Sequence, residues 1–124
     1  MKPLIFVGLG GFIGSVTRYL TSVYITRMMG SGFPWGTMTA NIVGCLLIGL
    51  ISGMIIDREF SWPFREFFIV GVLGGFTTFS SFGLETWNLL KSGATTSAVA
   101  YVGLSLLLGL IAVAAGYSIS RQLI

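Results

Sequence analysis

Four apolar runs, separated by short polar connections, constrain the fold of this chain more than any other feature. They cover about residues 4–24, 35–56, 64–90 and 98–119 of the 124. Each run is close to the roughly 20 residues that a helix needs to cross the hydrocarbon core of a bilayer. Only 9% of the residues are charged, against about 25% in an ordinary soluble domain. The sequence therefore predicts an all-α integral membrane protein with four transmembrane helices in one domain, 1–124.

The residue types exclude several kinds of site. The chain has no histidine and one cysteine, Cys45, so neither an intrachain disulfide nor a Cys/His metal cluster is possible. The seven basic residues are scattered rather than gathered into a stripe that could bind nucleic acid. The glycine-rich run 8–14 has Ile13 where a dinucleotide loop needs its third glycine, and the first acidic residue is Asp57. We therefore expect neither nucleic acid nor nucleotide as a partner.

The stretch 74–82, with the sequence GGFTTFSSF, interrupts the third apolar run. Two glycines, four hydroxyl residues and three phenylalanines stand where a membrane helix usually carries aliphatic residues. Backbone groups freed by a helix break are costly in lipid and are tolerated only where they face protein or a water-filled cavity. Ring edges carry partial positive charge, and hydroxyls donate hydrogen bonds. The stretch therefore predicts a third helix that is broken near its middle and lines a passage for a polar species.

Polar residues also occur in the other spans. Arg18 lies late in the first span, where it could snorkel to the interface, anchor a neighbouring helix or attract anions to a pore entrance. Asn41 lies in the second span, and a buried carboxamide needs hydrogen-bond partners. It could tie two helices together or donate to a passing anion. In the last span Tyr101, Ser105 and Gly109 fall on one face, which makes this face a candidate polar lane.

The basic residues are almost evenly divided between the two sides of the membrane. With four spans, both termini and the second connection share one side, which carries four of them: Lys2, Arg58, Arg65 and Arg121. The other side carries two or three: Arg27, Lys91 and, if it reaches the surface, Arg18. Orientation follows the side richer in lysine and arginine, so this slight bias favours insertion both ways. Because four helices leave little room for a pathway, we expect a homodimer.

Small residues four positions apart predict close helix contacts. Four such pairs occur, one in each span: Gly10 with Gly14, Gly49 with Gly53, Gly71 with Gly75, and Ala112 with Gly116. Their spacing leaves open which pairs pack within one subunit and which pack between two.

Three motifs together resemble the Fluc fluoride channels, also called the CrcB family. They are GSVTRY at 14–19, GTMTAN at 36–41 and the stretch 74–82, in this order along the chain. The resemblance implies an antiparallel, dual-topology homodimer in the inner (plasma) membrane, with two pores that are each lined by both subunits. It also implies a passive channel through which fluoride leaves the cytoplasm, which protects the cell from fluoride toxicity.

The resemblance further implies the residues of the pore. Asn41 is expected to be the amide donor to fluoride, with Phe79 and Phe82 as pore-lining rings. The remaining pore residues carry hydroxyl groups: Tyr101, Ser105, Thr39 and Ser81. Gly109 stands where some relatives continue the polar track with a hydroxyl.

A structural sodium ion at the centre of the dimer is also implied by the resemblance. Its ligands are expected to be the backbone carbonyls of Gly74 and Thr77 from each subunit. Backbone oxygens at an unwound part of a helix suit a hard cation. Arg18 and Glu85 are expected to belong to the vestibule or to the structural frame.

Two alternatives belong to other functional classes. A small proton-coupled multidrug transporter also has four short helices, but it needs a membrane-embedded carboxylate, and Glu85 would have to serve. A non-transporting membrane subunit would use Asn41 and the phenylalanines for packing alone. An enzyme is not expected, because no nucleophile, base and orienting group form a recognisable set.

Overall fold

The computed structural model describes residues 1–55 and 63–124, and its regular structure over these residues is entirely helical. In chain order the elements are α1 (Lys2–Met29), α2 (Trp35–Ile55), a π-helix (Arg65–Leu73), α3 (Gly74–Phe76), α4 (Ser80–Lys91) and α5 (Thr95–Leu123). The predicted end of the second run at position 56 and most of the connection after it, 57–62, lie outside the described residues.

Within residues 1–55 and 63–124, four helical stretches are long and apolar enough to cross a membrane, which confirms the prediction of four transmembrane helices. They are Lys2–Met29, Trp35–Ile55, Arg65–Lys91 and Thr95–Leu123. The third of these, called the third span below, comprises the π-helix, α3 and α4. At 1.5 Å per residue, α1 and α5 are about 42–44 Å long, whereas the hydrocarbon core is about 30 Å thick. Both helices therefore extend beyond their apolar runs into the interfaces.

The helices pack in two main pairs, α2 against α5 and α1 against the first half of the third span. Between α2 and α5, a Cβ at Gly49 would overlap the carbonyl of Val113, and a Cβ at Gly116 would overlap the carbonyl of Leu46. Glycine is needed at both positions because the two backbones are in direct contact.

Glycines also make the contact between α1 and the third span. A Cβ at Gly10 would lie 2.9 Å from the Cα of Gly71, and one at Gly14 would lie 2.8 Å from the backbone nitrogen of Phe76. A Cβ at Gly75 would come within 2.6 Å of the α1 backbone. The small-residue pairs of the first and third spans therefore pack against each other within one chain.

The buried core is small and lies where these helices meet. Its buried apolar residues are Met38, Ala40, Leu73, Phe76, Ala98 and Tyr101. Most large aliphatic side chains lie exposed on the outer faces, as expected of helices that cross a bilayer. Tyr101 is the largest side chain with no exposed surface among those described, and it lies beside the site described next.

Candidate functional site

An open cavity of about 630 Å³ lies between α2, the third span and α5. Its lining includes the four polar side chains of Asn41, Thr77, Thr78 and Ser105, together with the rings of Phe79 and Phe82. Gly74 and Cys45 also line it. The structure thus brings together six of the residues predicted for the pore and the cation: Asn41, Gly74, Thr77, Phe79, Phe82 and Ser105.

The backbone at 77–79 lies outside both flanking helices. Helix α3 ends at Phe76, α4 begins at Ser80, and Thr77 is extended with φ −86° and ψ 155°. Threonine hydroxyls form hydrogen bonds with backbone groups next to this segment. The Thr77 hydroxyl donates to the Leu73 carbonyl at 3.0 Å, and the Ser81 amide donates to Thr78 Oγ1 at 3.2 Å. The second contact places a threonine oxygen at the start of α4, where helix amides lack partners of their own.

Asn41 holds the backbone of Thr78 by two hydrogen bonds. Its Oδ1 accepts from the Thr78 amide at 2.8 Å, and its Nδ2 donates to the Thr78 carbonyl at 3.0 Å. The backbone offers one donor and one acceptor, which fixes the orientation of the carboxamide. Because an amide nitrogen carries two hydrogens, one N–H remains available on a residue that lines the cavity.

The carbonyls of Gly74 and Thr77 are among those that lose their usual helical donors at this point. In a continuous helix the Thr78 amide would donate to the Gly74 carbonyl, and the Ser81 amide to the Thr77 carbonyl. Here the first amide donates to Asn41 and the second to the Thr78 hydroxyl. Gly74 and Thr77 both line the cavity, and Gly74 is exposed. Two backbone oxygens released in this way fit the ligand preference of a hard cation.

Arg18 contacts the end of α3. Its Nε donates to the Gly75 carbonyl at 3.1 Å, and the side chain is half-buried. The amide of Phe79 would serve this carbonyl in a continuous helix, so the guanidinium replaces a lost donor at a helix C-terminus, where positive charge is favourable. Of the three hypotheses for Arg18, this contact corresponds to anchoring a neighbouring helix.

Glu85 joins three helices. Its Oε1 accepts from the Thr37 hydroxyl at 2.8 Å, and its Oε2 accepts from the Tyr101 hydroxyl at 2.7 Å. Thr37 and Tyr101 are both buried. Both carboxylate oxygens are therefore hydrogen-bonded to protein, and α2, α4 and α5 are tied together at one point.

The aromatic side chains form a row that begins at the cavity. Ring centroids are 5.7 Å apart for Phe79 and Phe82, and 5.1 Å apart for Phe82 and Tyr101. Tyr101 in turn makes an edge contact with Phe33 at 5.5 Å. Phe79 is 82% exposed on the single chain, so the row of rings is uncovered at its cavity end.

The predicted polar lane on α5 is only partly in the cavity wall. Ser105 lies in the wall, and its hydroxyl oxygen is buried with no hydrogen-bond partner among the described residues. Tyr101 contacts Glu85 instead of the cavity. A Cβ at Gly109 would lie 3.4 Å from the sulfur of Cys45. Thr39 and Ser81 are half-buried and do not belong to the cavity lining.

Sequence reasoning gave no role to Thr37 and did not predict the pairing of Thr78 with Asn41. Thr37 binds Glu85, and Thr78 provides the backbone that Asn41 holds. Thr37 lies four residues before Asn41, on the same helix face, and this spacing was a usable signal. The pairing of Asn41 with Thr78 had no comparable signal.

Known proteins resemble this chain over nearly its full length. The family model for CrcB-like protein, Camphor Resistance (CrcB), matches residues 5–117. A protein of Rhizobium meliloti (strain 1021) is 42% identical over 125 positions, covering 100% of both chains. One of Agrobacterium fabrum (strain C58) is 46% identical over 124 positions, covering 99% of both. One of Flavobacterium psychrophilum is 42% identical, covering 99% of this chain and 100% of its own. All three are named fluoride-specific ion channel FluC.

Proposed function

This chain belongs to the CrcB-like protein family, and from that premise we propose that it is a passive, fluoride-selective ion channel. It exports fluoride from the cytoplasm across the inner membrane and so protects the cell from fluoride toxicity. The resemblance drawn from the three motifs is confirmed, and the relatives are named as ion channels, so the chain is not an enzyme. It is a multi-pass membrane protein.

The observation that carries the proposal is the pair of unused donors in the cavity. The Ser105 hydroxyl has no partner among the described residues, and Asn41 retains one N–H. A buried polar group without a partner costs about 1–3 kcal/mol, and a passing anion would supply that partner. The described residues that line the cavity include no positive side chain that would hold a strongly hydrated anion too tightly. Conduction needs several weak sites of this kind.

The phenylalanine rings extend the pathway without adding charge. Phe79 and Phe82 can present their positive ring edges to fluoride, and the hydroxyls of Thr39 and Ser81 are assigned to the same path by the family resemblance. Hydrogen fluoride enters the cell uncharged and dissociates in the more neutral interior. A negative-inside potential then drives the anion out, with about 2.3 kcal/mol per charge for each 100 mV. No nucleotide is needed.

The proposed assembly is an antiparallel, dual-topology homodimer with two pores, each lined by both subunits. Its support is the uncovered surface at 77–80, in the middle of the third span. Phe79 is 82% exposed and Ser80 is exposed. Lipid tails cannot hydrogen-bond to hydroxyls or to freed backbone groups, whereas a second copy can cover them. In this assembly the third span works as a broken helix.

A structural sodium ion at the dimer interface completes the proposal. The carbonyls of Gly74 and Thr77 from each subunit would hold it. When bound, the ion supplies positive charge to these oxygens and links the two subunits. Arg18 and Glu85 belong to the frame: Arg18 holds the end of α3, and Glu85 holds Tyr101 beside the Phe82 ring.

The multidrug-transporter alternative receives no support from the site. Such a transporter must expose a carboxylate to protons and to substrate in turn. Both oxygens of Glu85 accept hydrogen bonds from protein hydroxyls.

Fluoride efflux from liposomes that contain the purified protein tests the proposal. A fluoride electrode should record rapid loss of fluoride, with little loss of chloride in a parallel experiment. Phe82→Ile should slow the efflux strongly. Phe68→Ile, on the π-helix outside the cavity lining, should leave it unchanged. Absence of fluoride flux from correctly folded protein would refute the channel.

A further inference from the structure

Asn41 lies in the cavity wall and also binds the backbone next to the proposed sodium ligands. It makes two hydrogen bonds to the backbone of Thr78, and one of them removes the donor that a continuous helix would give to the Gly74 carbonyl. We propose that Asn41 is a positioning residue for the sodium site: by capturing the Thr78 amide, it keeps the Gly74 carbonyl available to the ion. This inference rests on the proposed sodium site and names what maintains it.

The competing conformation follows from the geometry of a helix. If residue 41 offered no acceptor, the Thr78 amide would need another partner, since an unsatisfied amide inside a membrane costs several kcal/mol. The Gly74 carbonyl lies four residues earlier and is the acceptor of a regular α-helix. Thr77 would turn from its extended conformation to a helical one, and α3 would lengthen at its C-terminal end. The Gly74 oxygen would then be occupied by an amide.

Asn41 also compensates the carbonyl that this arrangement leaves open. The Thr78 carbonyl would accept from the amide of Phe82 in a continuous helix, and here it accepts from Asn41 Nδ2 at 3.0 Å. One carboxamide therefore satisfies both backbone groups of the residue that it holds. The anion pathway and the cation site consequently share one side chain, whose second N–H remains for the cavity.

Two substitutions at position 41 separate the two roles. Asn41→Leu has a similar shape but provides neither acceptor nor donor, so it should weaken sodium binding and stop fluoride flux. Asn41→Asp keeps an oxygen that can accept from the Thr78 amide but lacks the amide N–H. It should keep the sodium response while losing fluoride flux.

A proline at position 78 provides a rescue. Proline has no amide hydrogen, so it cannot donate to the Gly74 carbonyl whatever stands at position 41. The residue before a proline prefers an extended backbone, and Thr77 already has φ −86° and ψ 155°. In the double variant Asn41→Leu/Thr78→Pro the Gly74 carbonyl should remain free, and the sodium response should return to that of Thr78→Pro alone.

The readout is the thermal stability of the purified full-length protein at increasing sodium chloride, with N-methyl-D-glucamine chloride keeping the ionic strength constant. Loss of a group that holds a metal ligand in place typically lowers metal affinity by about 10–100-fold. The sodium concentration that gives half of the stabilisation should rise by about this factor in Asn41→Leu. It should stay near that of the parent in Asn41→Asp and near that of Thr78→Pro in the double variant.

Three results would overturn the inference. They are an unchanged sodium response in Asn41→Leu, a lost response in Asn41→Asp, and failure of Thr78→Pro to restore the response in a folded double variant. If Asn41→Leu does not fold, a lost sodium response in Asn41→Asp still overturns the inference. A parent protein that does not respond to sodium also overturns the inference, but fluoride efflux from the same preparation would still support the channel.

Discussion

Tyr101→Phe removes one hydroxyl from the cluster around Glu85 and leaves the ring in place. The hydroxyl donates to Glu85 Oε2 at 2.7 Å, and Tyr101 has no exposed surface. The ring contacts with Phe82 and Phe33, at 5.1 and 5.5 Å, do not need the hydroxyl. The substitution therefore isolates one hydrogen bond to a carboxylate inside a transmembrane helix bundle.

The expected loss in the free energy of unfolding is about 1.5 kcal/mol. Hydrogen bonds to charged groups contribute about 1.5–3 kcal/mol in soluble proteins. Measured bonds between membrane helices are weaker, about 0.6 on average and about 1.7 at most, because the unfolded chain in the membrane also finds partners. A carboxylate that loses one of its two hydroxyl donors belongs at the upper end of the membrane range. A loss of this size is about a tenfold change in the unfolding equilibrium.

Reversible unfolding by SDS in mixed micelles measures this loss. Tyr24→Phe is the matched control, because Tyr24 is 63% exposed on α1 and should change the free energy of unfolding by less than about 0.5 kcal/mol. Thr37→Val removes the donor to the other oxygen of Glu85. The double variant should lose more than the sum of both single losses, since its carboxylate then has no hydroxyl donor. The reasoning fails if Tyr101→Phe behaves like Tyr24→Phe.

Three further predictions have clear readouts. Gly116→Ala should lower the free energy of unfolding by about 1–3 kcal/mol, because its Cβ would overlap the α2 backbone; Gly103→Ala on the same helix has open space around it, and an equal loss there would contradict the packing. Arg18→Gln should cost about 1 kcal/mol through the lost bond to α3, whereas the same change at exposed Arg27 should have little effect; similar losses would mean that only charge matters. Ser105→Ala should slow fluoride efflux by about tenfold, equivalent to about 1.4 kcal/mol, without lowering the stability, because its hydroxyl has no protein partner among the described residues and its removal ends the cost of burying an unpartnered group. Unaltered efflux would remove Ser105 from the pathway.

The number of helices and the character of the third span followed from the sequence because each depends on local composition. A run of about 20 apolar residues determines a membrane helix without reference to the rest of the chain. The helix ends were less predictable, since α1 and α5 continue into the interfacial regions, where hydropathy falls but backbone hydrogen bonding does not. The ends of a transmembrane helix therefore need not coincide with the ends of its apolar run.

The pairing of distant residues did not follow from the sequence. Glu85 accepts hydrogen bonds from hydroxyls of residues 48 and 16 positions away, and Arg18 donates to a carbonyl 57 positions away. The small-residue spacing predicted close helix contacts but left the partners open. The structure shows that Gly10 and Gly14 meet the third span within the same chain. Which residues of two helices contact each other depends on how the helices are arranged, and the sequence of one helix alone does not determine that arrangement.

The two roles that the sequence left open for Asn41 are compatible. Both polar atoms of the carboxamide bind Thr78, which would exclude an ion if each atom could make only one hydrogen bond. Yet an amide nitrogen has two hydrogens, and only one is used for the backbone. The bonds that satisfy Thr78 also restrict the side chain, so the remaining N–H is held in place before an anion arrives. The loss of flux in a variant at this position therefore combines a lost donor with a changed backbone, and flux alone cannot separate them. A sodium response that survives in Asn41→Asp can.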